Sequence, residues 1–288
     1  MQFWLPLPIV GDDYQQFCDI ARYAEELGFA GIAVTDHFVV PKDYSSPHPS
    51  GGPTPFDHRA AFTDPLTSIA AMAAVTRRLR FLTYVYVLPM RDPFSVAKQA
   101  GTVALLSDHR LVLGVGVGWL LEEIEMLGFD PHTRGRRTDE MLEVMSRFWR
   151  DGTAEFHGEF YDFGPTGMYP APGRRIPVWV GGKSDVALRR AVKQDGWVGM
   201  NYDLDEIPVL LTKLRKARSE HVAASGADGP FETFVMANAQ PSRDLYSGLE
   251  AQGVTSTIAA AWPFGDPAYA PFNRKQAAMR AFAEAYFG

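Results

Sequence analysis

The chain of 288 residues has one cysteine, Cys18, and this scarcity excludes two kinds of site. A single thiol cannot form an intramolecular disulfide, and it cannot supply a cysteine-rich metal centre. Cys18 lies in a helical pattern of apolar residues, where we expect it to pack as a small side chain. The histidines are scattered without the spacing of metal ligands, so we expect no metal site.

The sequence also lacks an excess of positive charge and any long apolar run. Its formal net charge is -6, whereas nucleic-acid-binding domains are usually basic, so we expect no nucleic-acid partner. No apolar run approaches the roughly 20 residues that a membrane-spanning helix needs, so no membrane partner is expected. The first ten residues have neither the basic region nor the cleavage site of a signal peptide. We therefore expect a cytoplasmic protein.

Short runs of β-branched and aromatic residues alternate along the chain with longer segments of helical periodicity, the pattern of βα units around a parallel sheet. Strands are predicted at residues 3–5, 31–35, 81–87, 110–115, 176–180, 196–200, 231–237 and 254–260. A doubly wound sheet more often has about five or six strands, and a (β/α)₈ barrel typically needs about 250 residues. The sequence therefore predicts one α/β domain over residues 1–288, a (β/α)₈ TIM barrel with small insertions such as a hairpin at residues 153–163.

Two polar residues end the second predicted strand, in the segment "GIAVTDHFVV". In a TIM barrel the loops that follow the strands form the active face, which would place Asp36 and His37 at that face. A histidine suits proton transfer near neutral pH. The pattern leaves two interpretations open, a capped turn with a structural histidine or an acid–base group. Residues 38–63, rich in proline, glycine and serine, are too many for a plain connection and are predicted to form part of a substrate lid.

Alternating glycines follow the fourth strand in "VGVGVGWLLEE". They do not form the G-x-G-x-x-G pattern of a dinucleotide site, and the chain has no G-x-S-x-G elbow of a serine hydrolase. Gly114, Gly116 and Gly118 would allow a flat ligand to approach the backbone closely. A crowded barrel corner explains the same spacing equally well.

The segment "IPVWVGGKSDVALRR" shows a strand that passes directly into a helix. Exposed backbone N–H groups at a helix N-terminus bind anions, and the lysine adds a positive charge. This pattern favours a phosphate-binding turn over a plain tight turn. Its residues are Gly181, Gly182, Lys183 and Ser184.

Four segments together resemble the luciferase-like flavin or deazaflavin oxidoreductase superfamily, most closely its short coenzyme F420-dependent branch. They are "TDHFVVP", "LPMRDPFSVAKQAGTVALLSDHRLVLGVGVGWLLEEIEMLG", "RGRRTDEMLEVMSRFW" and "PVWVGGKSDVALRRAVKQDGW". They occur in the order of the family between residues 28 and 197. The resemblance implies a luciferase-like TIM barrel that holds one flavin-type ring at its C-terminal rim.

The resemblance also implies roles for individual residues. His37, with Asp36 beside it, matches a proposed proton donor or base near the ring. The Tyr84–Val85 junction matches a non-prolyl cis peptide that forms a bulge against the ring, with Thr83 next to it. Strand alternation, taken alone, would send Thr83 and Val85 to one side of the sheet and Tyr84 and Tyr86 to the other.

One position departs from the sugar-phosphate dehydrogenases of this superfamily, which have an acidic residue after the glycine cluster. Here that position is Trp119, so glucose-6-phosphate dehydrogenase activity is not expected. Glu122 and Glu123 follow one helical turn later and could reach the rim, but a solvated helix face is the favoured interpretation. The predicted substrate pocket consists of Trp119, Tyr86, Trp197 and Asn201.

Three functions follow from these motifs. The first is hydride transfer between coenzyme F420 and a small organic substrate. The second is an FMN-dependent monooxygenase that uses O2 and reduced flavin from a reductase partner, because the phosphate turn suits both coenzymes. The third is a non-catalytic flavin-binding barrel. Members of this superfamily are often homodimers, so the resemblance implies a homodimer for this chain.

Overall fold

The computed structural model describes residues 1–7, 13–49 and 51–287. Its strands are β1 (Gln2–Pro6), β2 (Gly31–Val34), β3 (Arg80–Thr83), β4 (Tyr86–Val87), β5 (Leu111–Gly116), β6 (Thr153–His157), β7 (Asp162–Gly167), β8 (Val178–Gly181), β9 (Gly196–Tyr202), β10 (Glu232–Ala237) and β11 (Ser256–Ile258). Its α-helices are α1 (Phe17–Leu27), α2 (Pro65–Ala74), α3 (Pro93–Leu106), α4 (Leu121–Met126), α5 (Arg134–Asp151), α6 (Asp185–Ala191), α7 (Glu206–Ser225), α8 (Arg243–Ala251) and α9 (Phe272–Tyr286).

The parallel sheet closes into a barrel. Its strands pair in the order β1, β2, β3, β5, β8, β9, β10 and β11, and β11 pairs again with β1. The short β4 continues β3 as a second segment of the same barrel strand and also pairs with β5. The antiparallel hairpin of β6 and β7 stands apart from the barrel, as predicted for an insertion. The predicted (β/α)₈ barrel is therefore confirmed.

Aspartate–proline pairs start two of the helices around the barrel. The Asp64 carboxylate accepts from the backbone N–H of Thr67 at 2.7 Å at the start of α2. Asp92 accepts from the N–H of Ser95 at 2.8 Å at the start of α3. The aspartate N-cap satisfies N–H groups that a helix leaves unpaired, and proline suits the first helical position because it has no N–H group.

Large aromatic side chains fill the interior of the barrel and close its N-terminal end. Trp4 and Trp179 meet edge to face with ring centroids 5.6 Å apart. The guanidinium of Arg80 lies 5.1 Å from the centroid of the Trp4 ring and 5.6 Å from that of the Trp179 ring. Arg80 is the first residue of β3, so this packing closes the N-terminal end of the barrel. A ligand site is therefore expected at the C-terminal rim.

Strand alternation breaks between β3 and β4. Tyr84 belongs to the interior cluster, whereas Tyr86 packs in the larger cluster between barrel and helices. The prediction that Tyr84 and Tyr86 share one side is therefore wrong, because the strand is interrupted after Thr83 and resumes at Tyr86. The peptide between Tyr84 and Val85 is cis, as the resemblance implied. Over the ranges that the structure describes, we find no helix apolar and long enough to span a bilayer.

Candidate active site at the rim of the barrel

His37 lies just beyond β2, and an acidic side chain of α4 holds its imidazole. The Nδ1 atom of His37 is 2.7 Å from Oε2 of Glu123. Glu123 is 1% exposed, and its Oε1 accepts from the backbone N–H groups of Phe38 at 2.5 Å and Val39 at 3.0 Å. Because this carboxylate already accepts from two backbone N–H groups, we assign it as the acceptor and Nδ1 as the donor of this contact. This contact fixes the orientation of the ring and leaves Nε2 to exchange a proton.

The expectation that Glu122 and Glu123 form a solvated helix face is wrong. Glu122 binds the loop that follows β2, accepting from the Ser45 backbone N–H and the Ser46 hydroxyl, each at 2.7 Å. Burial raises the pKa of Glu122, but the hydrogen bonds from Ser46 and Ser45 outweigh it and lower that pKa to about 2. Two consecutive glutamates of α4 therefore fasten residues 37–46 to the rim.

The predicted lid, residues 38–63, packs aromatic rings against His37. The His37 ring centroid lies 4.9 Å from that of Phe62, 5.2 Å from that of Phe56 and 5.8 Å from that of Trp119. Tyr44 also contacts Trp119, with centroids 5.9 Å apart. With these rings in place, 9% of the His37 side chain is exposed. Trp119 thus lies beside His37, and its role in the substrate pocket stays a prediction.

Asp36 does not share the environment of His37. Its carboxylate forms a bidentate pair with the Arg91 guanidinium, with both distances 2.9 Å, and accepts from the Val87 backbone N–H at 2.8 Å. Burial raises the pKa of Asp36, and the charge of Arg91 opposes that rise. Since both oxygens are occupied and the side chain is buried, we correct its predicted catalytic role. Asp36 joins the end of β2 to β4 and so supports the position of His37.

Val85 fills the space that the glycines of the neighbouring strands leave. A Cβ at Gly116 would lie 2.6 Å from Cγ2 of Val85, and one at Gly181 would lie 3.3 Å from its Cγ1. At Gly114 a Cβ would collide with the carbonyl oxygen of Thr83, and at Gly118 it would lie 2.7 Å from Val87. Of the two interpretations of this cluster, the crowded barrel corner accounts for all three alternating glycines.

We correct the prediction that Thr83 and Gly114 contact the cofactor. Both are buried, and the Thr83 hydroxyl donates to the Gly114 carbonyl at 2.7 Å, so this pair joins β3 to β5. Tyr84 is also buried, and its hydroxyl lies 3.5 Å from the sulfur of Met236. Burial raises the pKa of Tyr84, which keeps its hydroxyl neutral inside the barrel.

The turn after β8 is exposed and has the predicted form. Gly182 has a φ of +117°, and the Ser184 side chain caps α6 by accepting from the Ala187 N–H at 3.2 Å. The Nζ of Lys183 pairs with Glu206 at 3.1 Å on the open surface. Exposed backbone next to a lysine suits an anion, so the phosphate role remains a prediction that this turn permits.

Two predicted pocket residues lie away from any open space. Tyr86 and Trp197 are fully buried between barrel and helices, so their assignment to the substrate pocket is wrong. Trp197 stacks on Tyr202 and donates from Nε1 to the carbonyl of Gly182 at 2.8 Å. Trp197 therefore supports the turn after β8 from its buried side. Asn201 is half-buried near the end of β9 with a φ of +52°, a conformation that asparagine tolerates.

Two site residues were not assigned from the sequence: Glu123, for which a solvated face was favoured, and Arg91, which was missed. Glu123 lies 86 residues from its partner His37, and Arg91 lies 55 residues from Asp36. The available signal was their position, since each follows a predicted strand closely enough to reach the rim. Among the residues that the structure describes, no group of three His, Cys, Asp or Glu side chains is arranged to hold a metal ion.

Solved structures share this fold over nearly the whole chain. The monooxygenase RslO1 from Streptomyces bottropensis has a TM-score of 0.75 and 20% identity, covering 100% of this chain and 99% of that one. The coenzyme F420-dependent tetrahydromethanopterin reductase of Methanopyrus kandleri has a TM-score of 0.72 and 13% identity, covering 99% and 98%. At such low identity the likeness shows the fold alone.

Sequence relatives are closer. An uncharacterised protein of Mycobacterium tuberculosis is 38% identical over 248 residues, which is 85% of this chain and 85% of that protein. The family model described as luciferase-like monooxygenase matches residues 3–283. This chain therefore belongs to the luciferase-like monooxygenase family.

Proposed function

We propose that this protein is an oxidoreductase that transfers a hydride between coenzyme F420 and a small organic substrate. The observation that carries the proposal is the contact between His37 and Glu123 at the C-terminal rim. In this proposal, His37, which a buried carboxylate holds beside an aromatic wall, acts as a proton-transfer group and not as a structural histidine. The family supports an oxidoreductase reaction, and the sequence motifs that resemble its F420-dependent branch support the choice of coenzyme.

His37 supplies the proton chemistry in this proposal. Glu123 holds Nδ1, so Nε2 takes a proton from a substrate hydroxyl or returns one to a reduced carbon or oxygen. A positioned general acid or base contributes about 10²–10⁴-fold to a rate. The rings of Phe56, Phe62 and Trp119 surround the imidazole and leave 9% of the His37 side chain exposed.

The coenzyme would be held by residues from the next strands around the rim. Gly182, Lys183 and Ser184 would bind its phosphate through backbone N–H groups and one positive charge. Val85, which is half-buried above Gly116 and Gly181, would support its ring. The bound coenzyme supplies the hydride-carrying carbon, and the protein contributes orientation and proton transfer.

A monooxygenase with FMN is the second candidate, favoured by the luciferase-like monooxygenase family to which the chain belongs. Both coenzymes carry a phosphate on a ribityl-type chain, so the turn after β8 does not separate them. The difference is chemical, because reduced flavin reacts with O2 whereas a 5-deazaflavin reacts poorly with it. An FMN enzyme would also need a reductase partner.

Titration of the purified protein with coenzyme F420 and, separately, with FMN tests the proposal. The quenching of tryptophan fluorescence reports binding, and we expect F420 to bind more tightly. Tighter FMN binding would assign the oxygen-using reaction instead. If neither bound, the proposed function would be refuted, and the chain would keep only its family and fold.

A further inference from the structure

Arg91 contacts the residues on both sides of His37 in the chain. Arg91 lies between β4 and α3, and its guanidinium binds the Asp36 carboxylate through Nη1 and Nη2, each at 2.9 Å. On the other side of His37, the centroid of the Phe38 ring lies 4.8 Å from Cζ of the same guanidinium. One side chain therefore holds the residue before the histidine and the residue after it.

The guanidinium of Arg91 is itself fixed by aromatic packing. The centroid of the Tyr86 ring lies 3.9 Å from Cζ, closer than that of Phe38. Tyr86 is fully buried, and the Arg91 side chain is 9% exposed. A guanidinium is planar and presents a rigid fork of N–H groups, so it can stack on a ring and bind a carboxylate through two nitrogens at once. A lysine carries a point charge and cannot reproduce both contacts, so this place requires an arginine and not merely a positive charge.

The Asp36 carboxylate also binds the strand that leads away from Val85. Its Oδ2 accepts from the backbone N–H of Val87 at 2.8 Å and from Nη1 of Arg91. The same Nη1 donates to the Val87 carbonyl at 3.2 Å. Val87 lies two residues after Val85, which would support the coenzyme ring in the proposed function. The pair of Asp36 and Arg91 thus links the backbone beside His37 to the backbone beside the proposed ring support.

Glu123 holds His37 in a different way. Its Oε2 lies 2.7 Å from Nδ1 of the imidazole, and its Oε1 accepts from the backbone N–H groups of Phe38 and Val39. Arg91 instead reaches the histidine through its neighbours in the chain. Loss of the Glu123 contact would release the imidazole, whereas loss of the Arg91 contacts would release the backbone that carries it.

We propose that Arg91 is a positioning residue for the proton-transfer step. Through Asp36 and Phe38 it keeps the backbone of His37 in place. Nδ1 then stays on Glu123, and Nε2 remains available to exchange the proton. This inference rests on the proposed function, because the step that it supports is the one assigned there to His37. The contribution depends on the planar guanidinium, so the conservative change to lysine should lose it.

Nitrogen-15 NMR of the histidine side chains tests the proposal without a substrate. At mildly alkaline pH the unaltered protein should show His37 as a single tautomer with the proton on Nδ1, and loss of the signal in His37→Gln assigns it. In Arg91→Lys we expect the two ring-nitrogen resonances of His37 to move towards each other, because the imidazole then spends part of its time away from Glu123. An unchanged His37 signal would overturn the proposal.

Arg110→Lys is the matched control. Arg110 precedes β5 at the N-terminal end of the barrel, and its guanidinium donates to Thr76 and to the carbonyls of Leu79 and Ala73 at 2.8–2.9 Å. The change to lysine therefore removes a comparable set of contacts far from the rim. We expect the His37 signal of this variant to match that of the unaltered protein. An equal change in both arginine variants would reduce Arg91 to a general role in stability and refute its positioning role.

Phe38→Leu tests the second contact of Arg91. Leucine keeps an apolar side chain but removes the ring beside the guanidinium, so the His37 resonances should move in the same direction by less. In the Arg91→Lys background the same change should add nothing, because residues that act through one contact are not additive. Met126→Leu, at an exposed apolar position of α4, should have no effect. Full additivity of the two changes would show that Phe38 does not act through Arg91.

The titration of the unaltered protein with F420 and FMN separates this inference from the proposed function. If the His37 signal changes in Arg91→Lys but neither coenzyme binds, the proposed function fails alone. If F420 binds and the His37 signal stays unchanged in Arg91→Lys, the positioning role fails alone.

Discussion

The His37 side of the rim is assembled from distant parts of the chain, whereas the turn after β8 is made from consecutive residues. Glu123 reaches His37 across 86 residues and is 1% exposed. Lys183, by contrast, is exposed and pairs with Glu206 on the surface, where both side chains are more than 40% exposed. A buried pair is held in one geometry, while an exposed lysine can exchange its surface partner for a ligand. The first arrangement suits proton transfer and the second suits binding.

Replacement of His37 or Glu123 tests whether the His37 side of the rim transfers protons. It should give the largest effect, a loss of turnover. We expect His37→Ala to lower turnover by about 10²–10⁴-fold, because it removes the general acid or base. Glu123→Gln should lower turnover less, since an amide oxygen can still accept from Nδ1. Coenzyme affinity, measured by tryptophan quenching, should be unchanged in both. Unaltered turnover in His37→Ala would rule out the proton-transfer role.

Asp36→Asn should have the next largest effect, on stability. The substitution leaves the buried Arg91 charge without its bidentate partner, and breaking a buried pair costs about 3–5 kcal/mol. The matched control is Asp19→Asn, which breaks an exposed pair with Arg22 that is worth about 0–1 kcal/mol. Urea denaturation compares the free energies of unfolding. Equal losses in the two variants would contradict the view that Asp36 fixes the end of β2.

The contrast between contacts of distant residues and turns of consecutive residues also explains which features could be predicted from the sequence. Local patterns predicted the barrel and the turn at Gly182, because neighbouring residues determine each strand and the turn. The contact between His37 and Glu123 was missed because it depends on which loops meet at the rim. Trp197 was misassigned because an aromatic residue in a strand does not reveal which side of the sheet it occupies.

Lys183→Ala should have a smaller effect, limited to coenzyme binding at the turn after β8. Loss of one positive charge at the turn should weaken coenzyme affinity about tenfold, which corresponds to about 1.4 kcal/mol. Turnover at saturating coenzyme should be retained, since Lys183 is not part of the His37 contacts. Lys216→Ala, which removes an exposed lysine of α7, is the control and should bind coenzyme normally. If both variants bound equally well, the phosphate would have to bind elsewhere.

Replacement of Glu122 should give the smallest effect, a loss of stability that depends on pH. Its pKa is lowered to about 2 in the folded protein, because the hydrogen bonds from Ser46 and Ser45 outweigh burial. The stabilisation is therefore complete above the ordinary value of 4.5 and is lost as the pH falls from there towards 2. We expect Glu122→Gln to be less stable than the unaltered protein at pH 6, and the difference to shrink at pH 3. Glu125→Gln, an exposed change on the same helix, should show no such trend in urea denaturation at the two pH values. A difference that stayed constant with pH would mean that the Glu122 charge does not hold Ser45 and Ser46 to the rim.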